Sequence, residues 1–237
     1  METSTQRQTL VITGASSGIG AAVAQRQIQE GYSVIGLGRH CESREHFDAV
    51  AVDFSRLEAV EQGALDIARS ESAGQICALV CCAGVGRFGG LEEFSLKQMQ
   101  EIMHVNFMAH AVLLKHLLPV LKRRQQGHLV VIGSESALNG GKNGALYCAS
   151  KFALRGLVQS LRAECSAANV NVTLINPGMV RSPFFENLAF EPGDHPDNYI
   201  LPEDVAHTVA MVLSMRQHTV VDEINMSPLK KVVKKKS

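Results

Sequence analysis

Runs of apolar, β-rich residues alternate with stretches of helical periodicity from one end of the chain to the other, and this alternation limits the fold more than any other feature. Residues 9–13, 33–38, 49–52, 76–82, 128–133, 170–175 and 220–226 read as strands. Helices are expected over 19–30, from 56 to about 71, from 95 to 118 with Pro119 closing it, over 145–168, and from 202 to about 215. Strands separated by helices run parallel, so the expected fold class is α/β, a doubly wound parallel sheet of about seven strands with helices on both faces. Leu10-Val11-Ile12 and Leu129-Val130-Val131-Ile132 are apolar on both sides of the strand, as burial between two helix layers requires. With 237 residues and 46% hydrophobic content, the chain suits one substantial core. A single domain is expected over 1–228, followed by a basic tail over 229–237.

That tail carries Lys230, Lys231, Lys234, Lys235 and Lys236, and reads as a solvated, frayed end rather than an anionic-surface tether. Elsewhere charge is balanced, 23 basic against 23 acidic residues, so no nucleic-acid partner is expected. No apolar run reaches the roughly 18 residues of a membrane helix. Residues 1–8 are polar and lead straight into a strand, so no signal peptide is expected. Six cysteines form no C-x-x-C pair and sit mostly in apolar segments, reading as reduced thiols of a cytoplasmic protein. Cys77, Cys81 and Cys82 make a poor metal site, because adjacent strand residues point to opposite faces. His104, His110 and His116 recur every six residues, off any one tight helix face, and read as surface or interface residues.

Two local motifs carry chemistry. Between the first strand and first helix stands Thr13-Gly14-Ala15-Ser16-Ser17-Gly18-Ile19-Gly20. Free N–H groups and the positive end of a helix suit a phosphate there, and glycine lets the backbone approach it closely. An ordinary glycine-rich turn would look the same, and the spacing differs from G-x-G-x-x-G. The second motif is Tyr147-Cys148-Ala149-Ser150-Lys151, with Ser134 thirteen residues before the tyrosine. Four helical residues rise about 6 Å and bring both side chains to one face. An ammonium there favours the phenolate, lowering a pKa that starts near ~10 and giving a proton donor or acceptor near neutral pH.

Thr13-Gly-x-x-x-Gly-x-Gly20, Asn106, Ser134, Tyr147-x-x-x-Lys151 and Pro177-Gly178-x-Val180-x-Ser182 together resemble the short-chain dehydrogenase/reductases, in that family's order and across essentially the whole chain. Length and the helix start Leu201-Pro-Glu-Asp-Val205 are most similar to bacterial NADP-dependent 3-hydroxy-acid and serine dehydrogenases. The resemblance implies a Rossmann-like sheet with a nicotinamide cofactor on Gly14, Ser16, Ser17, Gly18, Ile19 and Gly20. It puts Asp53 against the adenine, with Phe54 beside it, although Asp53 could instead cap the next helix. Cys82, Ala83, Gly84, Pro177, Gly178, Val180 and Ser182 follow as further cofactor contacts, joined by Asn106, Tyr147 and Lys151.

The same resemblance assigns catalytic roles. Tyr147 would protonate the developing alkoxide, Lys151 would lower its pKa and bond the nicotinamide ribose, and Ser134 would donate to the substrate oxygen. Asn106 would anchor a water relaying protons from Lys151 to solvent. Each has a plain alternative (turn hydroxyl, helix amide, core aromatic), and their joint occurrence favours catalysis. The second strand ends Gly36-Leu37-Gly38-Arg39-His40, without the carboxylate that binds the ribose of NAD. Arg39 can pair with a 2′-phosphate, helped by His40 or Ser16, so NADP is favoured over NAD unless Arg39 is merely an exposed turn residue. Two departures from the family pattern stand out: Ser182 replaces threonine, and Cys81-Cys82-Ala83-Gly84 replaces Asn-Asn-Ala-Gly, which puts that turn's hydrogen bonding in question.

Residues 181–199 are too long for a simple turn and combine Phe184, Phe185, Leu188 and Phe190 with prolines and a glycine. A mobile lid over nicotinamide and substrate is expected, with a permanently packed surface helix as the alternative. The leading activity is NADP-dependent interconversion of an alcohol and a carbonyl on a small substrate such as a 3-hydroxy acid. Reduction of a 3-oxoacyl group on an acyl carrier is the second reading, disfavoured by Glu186, Glu191, Asp194 and Asp197 on the lid. A non-catalytic NADP-sensing regulator is the third, and would tolerate loss of the tyrosine or lysine. The resemblance also implies a homodimer or homotetramer, formed through helices around 103–118 and 152–163.

Overall fold

The apolar runs pair into one sheet, built from β1 (Thr9–Thr13), β2 (Ser33–Gly38), β3 (Phe47–Ala51), β4 (Ile76–Cys81), β5 (Gly127–Ile132), β6 (Val170–Pro177) and, after the short outlying β7 (Phe190–Pro192), β8 (Glu223–Met226). In this computed structural model, which describes residues 7–236, the strand order is β3-β2-β1-β4-β5-β6-β8 and every pairing is parallel. Most of the polar start (residues 1–6) on which the signal-peptide expectation rests, and Ser237 of the tail, lie outside the described residues. The connections are α1 (Gly18–Gln29), α2 (Leu57–Arg69), α3 (Leu96–Met103), α4 (Ala109–Arg124), α5 (Ala145–Ser166) and α6 (Pro202–Ser214).

Strand alternation sorts β1 between two cores. Val11 packs with residues of α2, α4 and α5 on one face, and Leu10 and Ile12 pack with those of α1 and α6 on the other. All three are fully buried, each worth about 1.5–3 kcal/mol relative to exposure. The chain leaves β1 toward β2 but returns through β4 on the opposite side, so the strand order reverses between β1 and β4. In such sheets the crevice at the strands' carboxyl ends opens at that switch point. Among the described residues no helix is long and apolar enough to cross a membrane.

Two of these elements depart from the sequence reading. β3 starts at Phe47, because its ring fills the space over Gly36, where a Cβ would lie 2.1 Å from the Phe47 Cζ. The connection before it is a turn, with no helix. The helix beginning at Leu96 does not end at Pro119. It passes through a π-helical turn at His104–Met108 and continues as α4 to Arg124. Pro119 is tolerated because its ring faces solvent, and the Lys115 carbonyl that loses its N–H partner is on an exposed residue, within reach of water.

The lysine-rich tail is folded back rather than frayed. β9 (Val233–Lys235) pairs antiparallel with β7, and main-chain bonds run from Gly193 N to Val232 O (3.0 Å), Lys230 N to Asp197 O (2.8 Å) and Lys236 N to Ala189 O (2.9 Å). Lys230 meets Asp197 at 2.8 Å, Lys234 meets Asp194 at 2.9 Å, and Lys231 meets Glu135 at 2.9 Å. The acidic lid and the basic tail thus answer each other. Exposed pairs contribute only about 0–1 kcal/mol each, so the backbone pairing carries most of the docking. Removing residues 229–237 is expected to speed hydrogen exchange across 183–198 by roughly tenfold while leaving the sheet's protection intact. Unchanged exchange in that segment would show that the tail does not hold it.

Candidate active site

The turn from β1 into α1 requires its glycines. Gly14 and Gly18 have φ of +67° and +53°, and a Cβ on Gly20 would lie 2.3 Å from the Gly14 carbonyl oxygen. Ser17, extended, precedes α1 without a side-chain cap, and no acidic residue occupies the helix's first turn. The first-turn N–H groups therefore face a cleft of about 530 Å³ lined by Gly14, Ser16, Ser17, Gly18, Ile19 and Gly20. Free N–H groups in this arrangement could hold an anion.

The cleft's far end holds Arg39, Asp53 and Phe54. Arg39 is exposed on the rim; His40 is exposed but does not line the cleft. Asp53 Oδ1 accepts from Ser55 N (2.9 Å) and Ser55 Oγ (2.8 Å), and these bonds, with Arg39 and Arg56 nearby, hold its carboxyl below the usual range. The N-cap of α2 is Arg56, so Asp53 closes the preceding turn rather than capping the helix. Burial raises the pKa of the Cys41 thiol, partly offset by the neighbouring Ser16 hydroxyl.

The missing asparagine amides are replaced from an unexpected side. Thr13, fully buried, accepts on Oγ1 from both Cys82 N (2.9 Å) and Ala83 N (3.0 Å). Cys81 packs in one core and Cys82 against the other, and burial pushes both thiols up, Cys81 to about 12. His110 holds the next carbonyl: its Nε2 lies 2.8 Å from Ala83 O. It is fully buried, correcting the surface assignment, and burial drives its pKa down to about 4. The neutral ring must carry its proton on Nε2 to donate to that carbonyl.

Ser134, Tyr147 and Lys151 line the same cleft beside Ala83 and Gly84, and all three are buried. Lys151 Nζ sits 5.9 Å from the Tyr147 ring centroid and 3.4 Å from Ile132 O. The expected acidification of the tyrosine is outweighed by burial, which pushes Tyr147 up to about 12 against the lowering effect of the neighbouring Ser134 hydroxyl, and pulls Lys151 down to about 8. The phenol is therefore protonated at neutral pH. Asn106 sits behind the lining, in the π-helical turn. Its Oδ1 accepts from Val85 N (2.8 Å), and its Nδ2 donates to Val85 O (3.0 Å) and Ser150 Oγ (3.0 Å). With both amide hydrogens spent, a relay water would have to rest on main-chain groups of that turn.

Three further supports had no assigned role in the sequence reading. Ser150 Oγ donates to Tyr147 O (2.7 Å), linking Asn106 to the tyrosine's own helix turn. Asn176 Oδ1 accepts from Ser134 N (3.3 Å), while its Nδ2 donates to Glu223 (2.7 Å) and Asn225 (3.0 Å). Arg155 anchors Glu223 at 3.1 Å. Thr13 is the third. All three are buried polar residues in apolar surroundings, where a hydrogen-bond partner is obligatory, and that is the signal that could have found them.

Pro177, Gly178, Val180 and Ser182 continue the lining from the end of β6. Ser182 faces Gly18, whose Cβ would lie 3.4 Å from the Ser182 Cβ. The segment beyond is not a surface helix. It consists of short helical turns at Pro183–Phe185 and Pro196–Asn198 with β7 between them. Its aromatic side chains close a circuit with the tyrosine: Tyr147 to Phe88 (5.0 Å between centroids), Phe88 to Phe190 (5.0 Å), Phe190 to Phe185 (5.8 Å), Phe185 to Phe184 (5.2 Å) and Phe184 back to Tyr147 (5.9 Å). No group of three or more His, Cys, Asp or Glu among the described residues is arranged to hold a metal ion.

Residues 8–192 match the family model described as short chain dehydrogenase. Human retinol dehydrogenase 8 is 35% identical over 188 residues, which cover 75% of this chain but only 60% of that protein. The alcohol dehydrogenase of Thermococcus sibiricus, solved in complex with 5-hydroxy-NADP, superposes with a TM-score of 0.83 at 26% identity, covering 96% of this chain and 99% of that one. Serine dehydrogenase from Escherichia coli shares the fold, with a TM-score of 0.78 at 24% identity over 94% of this chain and 98% of that one.

Proposed function

From the premise that the chain belongs to the short-chain dehydrogenase family, we propose that it interconverts an alcohol and a carbonyl on a small substrate with NADP(H), using Tyr147 as proton donor and acceptor. The observation that carries this reading is the continuity of one cleft from the glycine cradle at Gly14–Gly20 to Ser134, Tyr147 and Lys151. The cradle fits a pyrophosphate: two glycines take positive φ, and a Cβ on the third would collide with backbone. Bound there, NADP(H) supplies or accepts the hydride. Ser134 and Tyr147 hydrogen-bond the substrate oxygen, and Tyr147 gives up its proton as charge develops on that oxygen. The Lys151 ammonium then steadies the phenolate left behind. Adding carbonyl compounds to the purified protein with NADPH tests the reading, since binding without consumption would favour the regulator.

Arg39 on the rim supports NADP over NAD, because a guanidinium can pair with the 2′-phosphate. Arg39→Asp is expected to weaken NADPH binding by roughly ten- to hundredfold and to improve NADH binding, read by fluorescence titration. Equal losses for both cofactors would assign Arg39 a structural role only.

A 3-hydroxy acid needs a cation for its carboxylate. Arg181 is the arginine of the lid segment, and its guanidinium is stacked on Tyr199 (3.9 Å) and bonded to Gly193 O (3.3 Å). An acyl carrier needs a basic patch, and three tail lysines are already paired with lid and loop carboxylates. Neither substrate gains support from these groups. Homo-oligomerisation remains part of the reading, supported by exposed Met108 and Phe152 on the expected pairing helices. A cytoplasmic setting is supported by six unbridged cysteines.

A further inference from the structure

We infer that the substrate presents a flat apolar face, as an aryl or conjugated carbonyl compound and its alcohol do, and that Phe184 selects it. This rests on the reaction proposed above and names its substrate class. Phe184 lines the cleft with Tyr147, the two ring centroids 5.9 Å apart, so a molecule reaching the phenol's hydroxyl meets its surface. Phe88 (5.0 Å from Tyr147) and Phe190 stand outside the lining and, with Phe185, complete a circuit whose edge-on contacts hold the Phe184 ring in place. Phe184 is seated over Gly86, where a Cβ would lie 2.4 Å from its Cζ, so the glycine makes room for the ring.

Charge around the cleft works against an anion. Glu101 and Glu186 line it, and the Glu135 carboxylate raises the Tyr147 pKa. Lys151 lines this end of the cleft, and the reaction proposed above commits its charge to the phenolate; the other nearby cations are engaged elsewhere, Lys231 with Glu135 (2.9 Å), Arg87 with Glu101 (3.6 Å), and Arg181 on Tyr199. A carboxylate would therefore face Glu101 and Glu186 without a cation of its own, whereas an aromatic ring would gain stacking contacts, each changing affinity by roughly two- to tenfold.

The test separates binding from turnover. Calorimetry on the NADP⁺-bound protein compares acetophenone, cyclohexyl methyl ketone and acetoacetate, and NADPH consumption is followed with the same three. The expected order is acetophenone, then cyclohexyl methyl ketone, then acetoacetate, with about tenfold or more between first and last. Phe184→Leu keeps apolar volume while removing the flat face, and is expected to erase the gap between the two apolar ketones, whereas Phe184→Tyr, which retains a ring, is expected to keep it. Acetoacetate binding as tightly as acetophenone, or an order preserved in Phe184→Leu, would overturn the inference. Aryl binding in the expected order without turnover would uphold the wall and sink the proposed reaction; turnover of all three with equal affinities would do the reverse.

Discussion

Tyr147→Phe is expected to lower kcat for carbonyl reduction by about 10²–10⁴-fold while leaving the fold and the cofactor cradle unchanged. The substitution removes one oxygen and keeps the ring, so the contacts with Phe88 and Phe184 survive. What it deletes is the hydroxyl, buried beside Ser134 and held protonated by a pKa of about 12. A protonated phenol is the form needed to donate to a developing alkoxide. Steady-state kinetics with NADPH, together with its dissociation constant and a thermal melt, check the expectation. A loss in melting temperature with kcat retained would make Tyr147 a core aromatic and nothing more.

Lys151→Met is expected to lose activity on a similar scale and to gain stability. Burial pulls the Lys151 pKa from 10.5 to about 8, so the unfolded chain holds the proton more tightly than the folded one. The sign follows: below pH 8 the buried ammonium opposes folding, and that penalty fades as pH rises from about 8 toward 10.5. Methionine fills similar space without charge, so at pH 7 its melting temperature is expected to exceed the wild type's by several degrees, the difference shrinking by pH 10. Catalysis runs the other way. The ammonium that costs stability steadies the phenolate, so wild-type reduction is expected to decline above pH 8, a limb the variant lacks. A variant less stable at pH 7, or one retaining the limb, would show that Lys151 packs without carrying that charge.

Much of the fold was legible because buried parallel strands and their crossover helices write distinct periods into the sequence. The switch between β1 and β4 was not read from that pattern, because alternation gives parallel strands without their order. The tail was not legible. β7 and β9 are three residues each, some forty residues apart, and their match of Lys234 to Asp194 appears only once the backbone brings them together. Pro119 misled because a proline stops a helix unless its lost bond faces solvent, and sequence does not say which side is wet. His110 misled for the opposite reason: a six-residue period locates no face, and only its contact with Ala83 O shows that it is buried. At the site, spacing brought Tyr147 and Lys151 onto one helix turn but could not report burial, which decides both pKa values. Thr13 supports the Cys81-Cys82 turn across 69 and 70 residues, a distance over which a substituted motif gives no hint of its replacement.

The most direct measurement uses NADPH carrying deuterium at both nicotinamide C4 positions, incubated with an aryl ketone and either wild-type protein or Tyr147→Phe. Deuterium on the carbinol carbon of the product with the wild type, reduced by about 100-fold or more in the variant, is the expected result. NADPH that binds but transfers no label, or equal transfer by both proteins, would contradict a reductase acting through Tyr147.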